Sequence, residues 1–157
     1  QVEGSAMKQA LTVFLIIILC ACATSEKMSS ETRGGIPFLV GSTRIDGVKT
    51  DYIAFIDNGK LNRVIEHYKL ENRGEGWAVY EYDGTRLIAY QAWSRVLSNN
   101  GAPSDGWYEQ SFDIAFHGKK ILHARKTLNG RPTEPDEHEL RAAFSSGQRL
   151  FERLSAE

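Results

Sequence analysis

Two cysteines and four histidines are the side chains of this chain best suited to nucleophilic or metal chemistry. Cys20 and Cys22 stand one residue apart in an apolar run, and no cysteine follows them. From residue 23 onward there is therefore no disulfide framework, no thiolate metal site and no thiol nucleophile. Cys20 and Cys22 are themselves too close, in a helix-forming stretch, for a structural disulfide. The histidines are His67, His117, His123 and His138. No pair has the i, i+4 spacing of a helical zinc site, and Glu137-His138-Glu139 is not HExxH. A turn centred on Gly118 would set His117 roughly opposite His123, which makes at most a surface metal pair. Solvent-facing histidines are the simpler reading, and no metal is expected.

Nucleophile and phosphate motifs are absent: there is no Gly-x-Ser-x-Gly, no GxxxxGK[ST] and no GxGxxG. Ser94 and Ser111 sit in strand-like segments, and nothing selects them for a triad assembled by folding. The carboxylates Glu81/Asp83 and Glu134/Glu137/Glu139 read as a strand edge and a helix start. No catalytic residue and no cofactor is assigned; an envelope hydrolase using His67 or His123 is kept as an alternative. The long polar connection, residues 98–106, is the remaining candidate. It offers Asn99, Asn100 and Asp105, with Trp93 before it and Trp107 and Tyr108 directly after. Loops on a rigid scaffold and exposed aromatics favour binding. The plain alternative is an ordinary hairpin loop with its aromatics in the core.

The elements that must position these residues are mostly strands. Asp57-Asn58-Gly59-Lys60, residues 72–76, Asp83-Gly84, His117-Gly118 and Asn129-Gly130 interrupt apolar or alternating stretches. Asn-Gly and Asp-Gly favour tight hairpins because both residues tolerate positive φ. Seven strands are expected between them, over 37–45, 52–56, 61–70, 77–82, 86–97, 107–116 and 119–128. No helical pattern separates them, so they read as an antiparallel meander. In 86–97 both faces carry large residues, with Leu87, Ala89, Trp93 and Leu97 expected on one of them. Ile53-Ala54-Phe55 and Ile114-Ala115-Phe116 begin two similar strand–turn–strand units. The C-terminus then changes period. Leu140, Ala143, Phe144, Gly147, Leu150, Phe151 and Leu154 recur at helical spacing, after Thr133 as the expected N-cap. The expected fold is α+β: a meander of six to seven strands with one C-terminal amphipathic helix packed on the sheet.

The 157 residues carry 19 Lys+Arg against 20 Asp+Glu, a net charge of −1. That balance argues against a nucleic-acid partner, which calls for a basic excess or stripe. An apolar share of 41% argues against disorder, and the length suits a single domain.

The N-terminal segment has the pattern of an export signal. Met7 and Lys8 precede an uninterrupted apolar stretch over residues 10–23, shorter than the ~20 residues a spanning helix needs. Leu19-Cys20-Ala21-Cys22 resembles the lipobox of bacterial lipoproteins, with Leu at −3, small residues at −2 and −1, and Cys at +1. The resemblance implies cleavage before Cys22 and acylation of its thiol. Ala23 at +2, rather than Asp, implies delivery to the outer membrane. The expected organisation is an extension ahead of the natural start (1–6), a signal peptide (7–21), the lipidated Cys22 with a flexible tether (22–35), and one α+β domain (36–157). The expected function is a membrane-tethered, non-catalytic binding or assembly module that contacts another envelope protein. A lipocalin-like carrier, holding an apolar ligand between sheet and helix near Trp93, is the alternative.

Overall fold

The computed structural model describes residues 27–33, 36–45, 48–70, 73–97 and 106–155. Two-residue turns set the architecture. Asn58-Gly59 and Asn129-Gly130 both take positive φ (51° and 73°; 50° and 73°). Such mirror-image turns match the twist of the strands they join. The strands are β1 (Lys27–Arg33), β2 (Ile36–Ile45), β3 (Val48–Asp57), β4 (Lys60–Leu70), β5 (Gly74–Asp83), β6 (Arg86–Leu97), β7 (Trp107–His117), β8 (Lys120–Leu128) and β9 (Arg131–Thr133). They form one antiparallel sheet whose spatial order is the chain order. Among the described residues one helix, α1 (Glu137–Ser155), follows.

The antiparallel meander and the C-terminal helix are as expected, but the sheet has nine strands rather than six or seven. Residues 27–33, read from sequence as part of a tether, pair residue for residue with β2 as β1. Their polar composition hides a strand, because an edge strand needs only backbone hydrogen bonds from its neighbour. The short β9 occupies the segment expected to lead into the helix.

Three hairpins share one irregularity. The register shifts between Phe55 and Ile56, between Glu81 and Tyr82, and between Ala115 and Phe116. In each, one extra residue bulges on the returning strand: Asn62, Ile88 and Leu122. A bulge reverses the side-chain alternation beyond it. Leu87 is therefore buried on the helix side, with Tyr90, and does not share a face with Trp93 as the simple alternation implies. The likeness between the β3–β4 and β7–β8 units is thus structural, and β5–β6 is its third member.

The helix-side face is the core. Tyr52, Ala54, Val64, Tyr80, Leu87 and Ile114 are almost wholly buried on it, beneath Ala143, Leu150 and Leu154 of α1. Gly147 lets α1 press onto the sheet: a Cβ there would lie 2.6 Å from Leu87 Cδ2. Tyr82 donates its hydroxyl proton to the Gly147 carbonyl at 2.9 Å. The helix starts at a reciprocal cap. Asp136 Oδ1 accepts from the Glu139 N–H and Glu139 Oε2 accepts from the Asp136 N–H, each at 2.9 Å. Asp136, not Thr133, is the N-cap; Thr133 is held in β9.

Candidate functional site

Among the described residues, two places stand out as open to a partner or ligand: the sheet face turned away from α1, and a cleft at the C-terminal end of α1.

The open face carries a cross-strand row of aliphatic side chains. Val40 pairs with Ile53, Ile53 with Ile65, and Ile65 with Val79. Adjacent to the row, Trp77 of β5 pairs directly with Trp93 of β6. Ile53 and Trp77 are each 38% exposed, which is high for large apolar side chains in mid-strand. Phe38 and Phe55 close one end, with ring centroids 6.4 Å apart. The flanks are ionic: Arg63–Glu81 at 2.8 Å on one side and Lys49–Asp51 at 2.9 Å on the other. Trp107, further along this face on β7, lies beneath the Arg95 guanidinium at 4.9 Å. All three tryptophans therefore share the open face. This row was missed in the sequence, where the aromatics read as core. The signal was there in the odd-numbered positions of β3 to β5, which put apolar residues on both faces.

Of the sequence candidates, Trp93 and Trp107 come to this surface. Tyr108, one residue from Trp107, takes the opposite face, opposite Val96. Asn99, Asn100 and Asp105 lie outside the described residues, as does Cys22. Trp93 points away from α1 and so does not line the space between sheet and helix.

The histidines form no site. His117 pairs with Lys120 and His123 with Ala115, so the two are not opposite each other. Among the described residues no group of three His, Cys, Asp or Glu side chains could hold a metal. Ser42, Asp51 and His67 stand side by side on three neighbouring strands of the open face. Hydrogen bonds from Lys49 and then Ser42 hold the Asp51 carboxyl below its usual range. The order is wrong for nucleophilic catalysis: Asp51 lies between the hydroxyl and the imidazole, whereas a triad needs the imidazole in the middle.

The strongest perturbed groups are structural. Tyr80 donates to buried Glu66 at 3.1 Å. Burial first, and the Glu66 charge after it, raises the phenols of Tyr80, Tyr82 and Tyr90 well above their ordinary value. Tyr68 is raised by the same burial. Tyr80, Tyr82 and Tyr90 belong to the core cluster beneath α1, and Tyr68 is buried as well.

The cleft encloses about 630 Å³ between the last turn of α1 and the turns that join β3 to β4 and β5 to β6. Its floor is apolar and its rim is made of hydroxyls and Lys60.

No known family matches the chain. No curated protein and no solved structure is similar to it either. The functional reading therefore rests on these surfaces and on the N-terminal motif.

Proposed function

We propose that the protein is a lipoprotein of the bacterial cell envelope, anchored through Cys22, whose folded domain is a non-catalytic binding module. Its binding surface is the open sheet face, and its partner is another envelope protein. The observation that carries this reading is the Trp77–Trp93 pair, half-buried at Trp93 and exposed at Trp77, beside the Val40–Ile53–Ile65–Val79 row.

An apolar centre with aromatic anchors and a polar rim is the anatomy of a protein interface. A contiguous apolar surface of this kind is uncommon on a protein with no partner. The ionic flanks, Arg63–Glu81 and Lys49–Asp51, supply such a rim. The anchor would place this face within reach of neighbours at the membrane. Two or more acyl chains make such attachment stable, where one gives only reversible binding.

Photo-crosslinking in cells tests the reading. A photoreactive residue at Ile53 or Trp77 is expected to give a discrete protein adduct that the same residue at Glu152, exposed on α1, does not give. Trp77→Glu should abolish the adduct formed from Ile53 without moving the thermal midpoint. Equal labelling from all three positions overturns the proposal, as does no labelling from the sheet. An adduct with twice the chain's own mass replaces the partner with a second copy.

A further inference from the structure

The cleft at the end of α1 is chemically asymmetric. Leu39, Ile56, Leu61, Phe151 and Leu154 make its floor, from β2, β3, β4 and α1. Ser29, Ser30, Thr85 and Ser155 add hydroxyls at the rim. Lys60 is the one ionisable side chain among the described residues that line it, and no carboxylate does so. Lys60 is exposed and, among the described residues, makes no ion pair. A volume near 630 Å³ lies in the range of small-molecule sites, ~300–1,000 Å³.

We propose that this cleft binds a long-chain fatty acid. Transfer of the alkyl tail from water to the Leu39–Leu61–Phe151 floor supplies the non-directional part of the affinity. The carboxylate supplies orientation. It cannot sit well at Ser155, because the carbonyl end of a helix carries partial negative charge. Lys60 stands across the cleft on the β3–β4 turn and is the charge-complementary position. The head therefore lies at Lys60 and Thr85, half in water, and the tail runs towards Phe151 and Leu154. The site is separate from the open sheet face, so it stands or falls independently of the partner reading.

The test uses the full chain in phosphatidylcholine nanodiscs with a diazirine-bearing palmitic acid. Labelled peptides are expected to contain Leu61, Phe151 or Leu154, with labelling competed by unmodified palmitate. Lys60→Gln should lower labelling about tenfold, the loss expected for one charge-assisted contact. A diazirine-bearing hexadecanol, which has no charge, should label wild type and Lys60→Gln equally. Thr85→Trp, at an exposed turn position, should lower labelling by both probes. Labels outside the floor peptides overturn the proposal, as does failure of palmitate to compete, or equal acid labelling in Lys60→Gln. So does a cross-link from a photoreactive residue at Thr85 to residues 10–23, which would give the cleft to the chain's own apolar segment.

Discussion

Lys126 Nζ lies 2.5 Å from Glu139 Oε1, and the two side chains are only 10% and 9% exposed. Through this pair β8 grips the first turn of α1. The other Glu139 oxygen caps the helix at Asp136, so one carboxylate joins the helix both to its own start and to the sheet. The Lys126 ammonium also sits 5.4 Å from the Phe112 ring. Removing one partner of a buried pair leaves the other charge uncompensated, at a cost of about 3–5 kcal/mol. Lys126→Met and Glu139→Gln should each destabilise by roughly that amount. The double variant should recover most of the loss, because no charge then remains buried. Urea unfolding of the four proteins checks this; additive losses would show that the pair is not coupled.

Gly147→Ala sets two effects against each other. In an exposed helix interior the change stabilises by about 1 kcal/mol. Here the new Cβ would lie 2.6 and 2.9 Å from the Leu87 methyls and 3.2 Å from the Tyr80 ring. Overpacking of this kind costs ~1–3 kcal/mol, so the substitution should destabilise. The pairing Gly147→Ala with Leu87→Ala should be less harmful than the sum of the two. A rise in melting temperature for Gly147→Ala alone would show that α1 is not seated on Leu87.

Four buried phenols make the fold sensitive to alkali. Burial holds Tyr68, Tyr80, Tyr82 and Tyr90 above their ordinary value near 10. Above pH 10 the unfolded chain therefore releases protons that the folded chain retains. The stability they contribute is complete below pH 10 and is lost as pH rises, by about 1.4 kcal/mol per unit for each phenol. Melting temperature should fall steeply above pH 10, with these four phenols ionising only at unfolding. Tyr90→Phe should flatten the slope. Phenolate absorbance near pH 10 in the intact fold that Tyr90→Phe removes would contradict the burial.

Lipid attachment gives a direct measurement. Chain extracted from bacterial membranes should begin at Cys22 and carry added acyl mass. Cys22→Ser should abolish both the cleavage and the mass, and Cys20→Ser should leave them unchanged. An unmodified chain that keeps residues 7–21 would refute the anchor.

The helix and the inner strands were legible because their patterns are strong: helical recurrence from Leu140 to Leu154, alternation in β7, and Asn-Gly turns. The edge strands were not. Lys27–Arg33 has no apolar period to display, and Arg131–Thr133 is too short for one. Thr133 looked like the cap because it precedes Pro135, but the reciprocal bond needs Asp136 and Glu139 three residues apart. Ile88 hid its bulge, since an inserted residue reverses alternation without leaving any mark in composition. The open face was misjudged for a related reason: aromatic content shows that a strand is covered on some side, not which side has a cover. The cleft was invisible, because Leu39, Leu61 and Phe151 meet only after β2, β4 and α1 are in place.

A sheet whose spatial order is its chain order has a temporal meaning for a polypeptide that emerges N-terminus first. Each strand can find its only earlier neighbour as soon as it is released, with no need to wait for a distant segment. The last element to appear is the lid on everything before it: α1 covers Tyr52, Val64, Tyr80 and Ile114 only after all nine strands are out. Until that moment the nascent sheet presents two sticky sides instead of one. The segment after Thr133 thus decides whether the newly made molecule matures or aggregates, and a chain truncated there should depend on holding chaperones that the chain with α1 can do without.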